Sequence, residues 1–237
     1  MLMLQKRLTM NGLGEKRVYV QNECVLIHKT NAQWGALSNM CRGFPILLPF
    51  NGGNVVLPTS EVLYQMMRFP ELIASDGSHY FQAHLAKEVN PMKAKMITKP
   101  YRMQHNRPDW DYVRVRIMRW TLRMKWLCSL SRLGPFLLET GVAPIVEYSK
   151  RDDFWGAKPI KERPGLLLGY NALGRLLMEL REGLWHRDNF HWFLYVEPPI
   201  LPHFTYGERQ ILPLVYESGL EQALMDFSLQ HFWRTLK

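Results

Sequence analysis

The chain has 237 residues, 47% of them hydrophobic, enough to bury one substantial core and to exclude a disordered chain. Its three cysteines, Cys24, Cys41 and Cys128, are far apart with no CxxC pair, which excludes a disulfide scaffold or a zinc knuckle and fits a reducing compartment. The formal charge of +9 makes an anionic partner plausible.

Charges at Lys6, Arg7, Glu15 and Lys16 interrupt the first residues, so they do not read as a secretory signal. No run approaches the roughly 20 apolar residues that cross a bilayer, and a soluble cytoplasmic protein without membrane contact is expected. Short β-rich runs follow at 17–20, 24–28, 44–50 and 54–57, the last two flanking Asn51-Gly52-Gly53, a hairpin signal because these residues tolerate positive φ. Thr59 or Ser60 then caps a helix that Pro70 interrupts after Phe69, with Glu61 in its first turn. Further helices are predicted at 79–88 and at 91–97, the latter with Asn90 as cap and Pro91 at its first position.

The longest helix is predicted from a cap at Asp109 to near Ser129. At 100° per residue, Trp110, Val113, Ile117, Trp120, Met124 and Leu127 share one face, and Val115, Met118, Leu122 and Trp126 share another. A helix apolar on two sides is buried on two sides. Arg116, Arg119 and Arg123 form a polar stripe between the faces, and Arg114, Thr121 and Lys125 form a narrower one. The segment 87–132 holds 12 Lys and Arg against 3 acids, the whole of the excess charge. It either faces something negative, with Arg116, Arg119 and Arg123 along a nucleic-acid strand, or pairs internally with acids such as Glu139, Glu147 or Glu179.

A short helix at 136–139, a strand at 145–147, a loop at 150–158 and a helix at 173–184 capped by Asn171 complete the reading of the core. From Trp185 the composition turns aromatic and proline-rich, with a helix expected between 220 and 236. The chain is therefore divided into a domain at 1–184 and an extension docked on it at 185–237.

Four blocks carry a family resemblance: Leu37-Ser38-Asn39-Met40; Pro58-Thr59-Ser60-Glu61 with Tyr64-Gln65; Ile145-Val146-Glu147 leading to Asp152-Asp153-Phe154-Trp155-Gly156; and Gly169-Tyr170-Asn171-Ala172-Leu173-Gly174 running into Leu177-Met178-Glu179-Leu180-Arg181. In order and spacing over roughly 34–182 they resemble the NADAR/YbiA-like family. That resemblance implies a predominantly helical α+β fold with small antiparallel β elements near the N-terminus, and hydrolysis of N-ribosyl bonds. Its substrates are ribosylamino-pyrimidine phosphates of riboflavin synthesis, or ADP-ribose on the amino group of guanine in nucleic acid, the latter in antitoxins paired with DarT-type transferases. The chain departs from the YbiA pattern at Arg68, where a Lys is usual, at Ala157-Lys158-Pro159 and in its tail. Lys99-Pro100-Tyr101-Arg102 and Arg107-Pro108-Asp109-Trp110 look closer to the ADP-ribosyl-guanine branch, which is the substrate expected here.

Cleaving such a bond develops oxocarbenium-like charge, so it needs a carboxylate to stabilise that carbon and activate water, and a proton source for the departing nitrogen. Glu61 and Asp152 are the carboxylates, the resemblance preferring Asp152 to its neighbour Asp153, although a first-turn acid and a turn cap are their ordinary roles. Lys125, set between two apolar faces, suits proton transfer or a Schiff base with an opened ribose, or else pairs with Glu61 or Glu147. Substrate contacts are expected from Asn39, Tyr64, Gly156, Asn171 and Trp155, which could stack on a base, and from Gly174, which with Gly169 before a helix can bring backbone N–H groups to a diphosphate. No histidine spacing suggests a metal, and no cofactor is expected. A binding module without turnover is the competing reading.

Overall fold

The computed structural model describes residues 14–73, 80–185 and 194–216. Helix and strand make up 38% and 21% of it, so the fold is mixed and not plainly predominantly helical as expected. Strands β1 (Arg17–Val20), β2 (Val25–Ile27), β3 (Ile46–Phe50) and β4 (Gly53–Leu57) lead into helices α1 (Ser60–Met66), α2 (Phe81–Ala86), α3 (Pro91–Thr98), α4 (Arg102–His105), α5 (Trp110–Cys128) and α6 (Leu130–Leu138). Then come β5 (Ile145–Glu147), β6 (Lys158–Pro159), β7 (Leu166–Gly169) and α7 (Ala172–Trp185), followed by the short strands β8 (Tyr195–Val196), β9 (Thr205–Tyr206), β10 (Arg209–Gln210) and β11 (Leu214–Val215).

The β3–β4 hairpin forms where Asn51-Gly52-Gly53 predicts it: Gly52 takes φ 89°, and burial alternates along β3 with Ile46, Leu48 and Phe50 inward. The other early strands pair differently from expectation. β1 runs antiparallel to β7, and β2 runs parallel to β5, so the N-terminal strands are completed by residues from the second half of the chain. β7, α4 and the early start of α6 were not legible as separate elements. The helix expected at 220–236, and the start of that expected at 79, lie outside the described residues.

α5 is the axis of the core. Both of its predicted apolar faces are buried, and Thr121 and Lys125 of the narrow stripe are buried with them. Asp109 precedes it without capping it, since its carboxylate is held by Arg107 at 2.5 and 2.9 Å. Thr59 does cap α1, accepting from the Val62 amide, and Asn90 caps α3. The described part of the C-terminal segment packs on this core: Phe204 meets Trp120 edge-on at 4.9 Å, and Ile211 bridges to Phe50.

Candidate active site

A cavity of about 250 Å³ opens between α1, α3, β5 and the loop after it. Its wall contains three carboxyl side chains, Glu61, Glu147 and Asp152, and three cations, Arg68, Lys95 and Arg102. Tyr64 and Trp155 add an aromatic side, in edge contact at 5.5 Å, with Trp110 behind Tyr64 and under the Arg68 guanidinium.

α1 enters with its whole length buried, so its first-turn acid is carried inside instead of facing water. Glu61 Oε1 accepts from Gln65 Nε2 at 2.8 Å, and Gln65 Oε1 in turn accepts from Thr98 Oγ1. Arg102 Nη2 donates to the same Thr98 hydroxyl at 3.2 Å, so a chain of hydrogen bonds joins carboxylate to cation across α1, α3 and α4. Asn39 closes the opposite side: its Oδ1 accepts from Ser60 Oγ, its Nδ2 lies 2.8 Å from Met118 Sδ, and its carbonyl accepts the Glu61 amide. Asn39 shapes the wall with a side chain already engaged.

Glu147 ends β5, and its position is over-determined. Asn171, buried with φ 50°, accepts from the Glu147 amide through Oδ1 and donates Nδ2 to the Ile145 carbonyl. The Ala157 amide donates to the Glu147 carbonyl. A Cβ on Gly156 would stand 2.3 Å from that carbonyl oxygen, and one on Gly174 would stand 2.1 Å from the Ile145 oxygen, so both glycines are required by close backbone approach. Glu147 Oε2 is buried and accepts no hydrogen bond among the described residues. Burial pushes its carboxyl up to about 8, against Lys95; Asp152 and Glu61 push the same way and Lys125 opposes. Burial also brings the Arg68 guanidinium down to about 10, which leaves it cationic.

Asp152 both caps and lines. Its Oδ1 accepts from the Phe154 and Trp155 amides at 2.9 Å, a local turn typical of aspartate, while the residue remains in the cavity wall. Asp153 turns outward between Lys16 and Lys158, which hold its carboxyl down at about 2.

Of the residues expected at the site, the cavity gathers Asn39, Glu61, Tyr64, Asp152, Trp155 and Gly156. Asn171 and Gly174 lie behind it, holding β5 against α7. The first amides of α7 do not reach toward the cavity, since Ala172 and Leu173 donate to the Phe154 and Trp155 carbonyls. Lys125 is also outside the lining: it is 1% exposed, and its Nζ donates to the carbonyls of Ala36 at 2.6 Å and Ser38 at 2.9 Å. Burial lowers this amine to about 8, and its two acceptors belong to the loop that carries Asn39. It pairs directly with neither Glu61 nor Glu147.

The stripe expected along nucleic acid is turned onto the protein itself. Arg116 Nη2 donates to the Ile200 carbonyl, Arg123 Nη2 to that of Tyr195, and Arg119 forms a two-point pair with Glu179. Glu147, Arg68, Lys95 and Arg102 are the charged wall residues that sequence reasoning did not assign to the site. The signal for Glu147 was its place at the end of a strand running into the Asp152 block; Arg68 and Arg102 stood in segments compared with the family pattern, while Lys95 had no signal beyond its charge. Among the described residues no group of acids, histidines and cysteines is arranged to hold a metal, and no helix is long and apolar enough to cross a membrane.

Comparison with known proteins places the chain in one family. The "riboflavin biosynthesis protein" of Vibrio vulnificus is 27% identical over 186 residues, covering 78% of this chain; the chain spans only 45% of that protein. The Escherichia coli "N-glycosidase YbiA" is 28% identical over 165 residues, 70% of this chain and 91% of that protein. A Nostoc punctiforme N-glycosidase is 40% identical over 124 residues, 52% of this chain and 72% of its own length. The NMR structure of E. coli YbiA superposes with a TM-score of 0.51 at 29% identity, covering 68% of this chain and 85% of that one. The NADAR domain model matches residues 27–185, which include every residue of the cavity wall, and the chain belongs to the NADAR domain family.

Proposed function

We propose that this chain hydrolyses N-glycosyl bonds, cleaving between the ribose carbon and an amino nitrogen of a phosphorylated ribosylamine. The observation that carries the reading is the facing of Glu61, Glu147 and Asp152 by Arg68, Lys95 and Arg102 in one small cavity. Carboxylates stabilise the carbon that becomes oxocarbenium-like, and clustered guanidinium and ammonium groups hold a phosphate at a fixed distance from it. Glu61 faces the developing charge. Asp152, with Oδ2 not engaged by its turn, takes the proton of the attacking water. Relatives named N-glycosidase support the bond type, and others named riboflavin biosynthesis protein support the choice of a ribosylamine.

The volume of about 250 Å³ suits a ribose with its phosphate better than a dinucleotide. ADP-ribosylated guanine in nucleic acid is the second reading, favoured by a groove of about 1110 Å³ beyond the Arg68–Asn106 hydrogen bond, to which Asn106, Tyr112 and Pro202 contribute. That groove could take what the cavity cannot. The test is incubation with ribosylaminopyrimidine phosphate and, separately, with an oligonucleotide carrying ADP-ribosylated guanine. Release of the free amine from the first supports the leading reading, release of ADP-ribose from the second supports the other, and binding without turnover of either defeats both.

A further inference from the structure

We propose that Glu147 is the proton donor to the departing nitrogen, a role that rests on the N-glycosidase reading above. Three observations point to it. Glu147 stands in the same wall as Glu61 and Asp152, so one carboxyl is available beyond the two that stabilisation of the carbon and activation of water require. Its Oε2 is buried without a partner, whereas Glu61 is engaged by Gln65 and Asp152 by the amides of its own turn. Its backbone is fixed by Asn171, Ala157 and the close approach of Gly156, so the carboxyl is held by strand and helix, not by a mobile loop end. A buried carboxyl oxygen with nothing donating to it disfavours the charged form and so favours the protonated one, which is the form a general acid must have.

The charged groups facing it are Lys95 from α3, Lys125 from α5, Glu61 from α1 and Asp152 from the following loop. Burial outweighs the two lysines and holds the carboxyl up at about 8, so the proton is present at neutral pH. In the step itself the bond between C1′ and nitrogen breaks, and its electron pair stays on nitrogen, which takes the Glu147 proton. Water oxygen bonds to C1′, and its proton passes to Asp152. Transfer of that proton back to Glu147 restores both groups, so one water is consumed and an amine and a free ribose are released.

The experiment compares two substrates with leaving groups of different need. Ribosylaminopyrimidine phosphate must be protonated to depart; p-nitrophenyl riboside 5-phosphate leaves as a stable anion and needs no proton. Glu147→Gln is expected to lower kcat on the amine substrate by about 100-fold or more, the usual range for removing a general acid, and to change kcat on the nitrophenyl substrate only a few-fold. In the unaltered chain, kcat on the amine substrate is expected to fall above about pH 8, with no such fall on the nitrophenyl substrate. That second comparison decides the matter even where the variant does not fold. Equal losses on both substrates, or an alkaline fall common to both, would overturn the donor assignment. Absence of turnover on both substrates by the unaltered chain would overturn the ribosylamine reading and the donor role with it, whereas the losses just named overturn the donor role alone.

Discussion

Glu61 and Lys125 show how differently two buried ionisable side chains are used. Glu61 has one oxygen steadied by Gln65, so Glu61→Gln can keep that contact through its own amide oxygen while losing the charge. Hydrolysis is expected to drop by about 100-fold or more with the melting temperature nearly unchanged, and a merely few-fold loss would remove Glu61 from the chemistry. Lys125 instead spends its hydrogen bonds on the Ala36 and Ser38 carbonyls. Lys125→Met is expected to destabilise by about 1–3 kcal/mol in denaturant titration, because two buried acceptors lose their donor, and activity should fall as the Asn39 loop loosens. Borohydride reduction during turnover should leave no adduct on Lys125; an adduct seen by mass spectrometry would restore the Schiff-base role. Glu147 adds a pH signature of its own. Its folded value near 8 lies above the ordinary 4.5, so between these pH values the unfolded state holds fewer protons and stability declines as pH rises. Unfolding free energies from urea titration should fall across this window with a slope of up to about 1.4 kcal/mol per pH unit, and Glu147→Gln should remove that part of the fall.

At the scale of elements, α5 was legible because its period is long and strongly apolar: every residue assigned to its two faces is buried. β3 and β4 were legible because the turn between them has a chemical requirement that only a few residues meet. β7 was not, since a short apolar run such as Leu166-Leu167-Leu168 has no period of its own and is fixed only by its partner β1. The arginine stripe was seen correctly as a stripe, yet what it faces depends on where α7 and the C-terminal segment dock. Replacing Arg116, Arg119 and Arg123 together by Gln should therefore lower the melting temperature by several degrees, through lost contacts to Ile200, Glu179 and Tyr195. Any salt dependence of oligonucleotide binding should be left with the same slope; a fall of about two in that slope would return the stripe to nucleic acid. The candidate site divided in the same way. Glu61, Asp152 and Trp155 were found through their motif, while Arg68, Lys95 and Arg102 are brought together only by the packing of α1, α3 and α4.

For the whole molecule, the basic segment 87–132 is divided between surface and interior: Lys87, Lys93, Lys95, Lys99, Arg116 and Arg132 are exposed, the rest partly or wholly covered. Arg107 is buried on Asp109 and the Pro202 carbonyl, Arg114 lies over the Phe154 ring at 3.7 Å, Arg132 over Phe44, and Lys125 is enclosed. Only part of that charge remains to attract an anion, and Lys95 and Arg102 place a share of it at the cavity. The parallel pairing of β2 with β5 has a consequence in time. Residues 25–27 must wait for residues 145–147, and Asn171 must arrive before the end of β5 is secured, so the loop to be closed is most of the domain. Contacts so distant along the chain form late and slowly. The cavity is then among the last parts to appear on refolding. Recovery of turnover should lag behind recovery of helical signal from α5, and chains interrupted before residue 171 should gain helix without gaining the site.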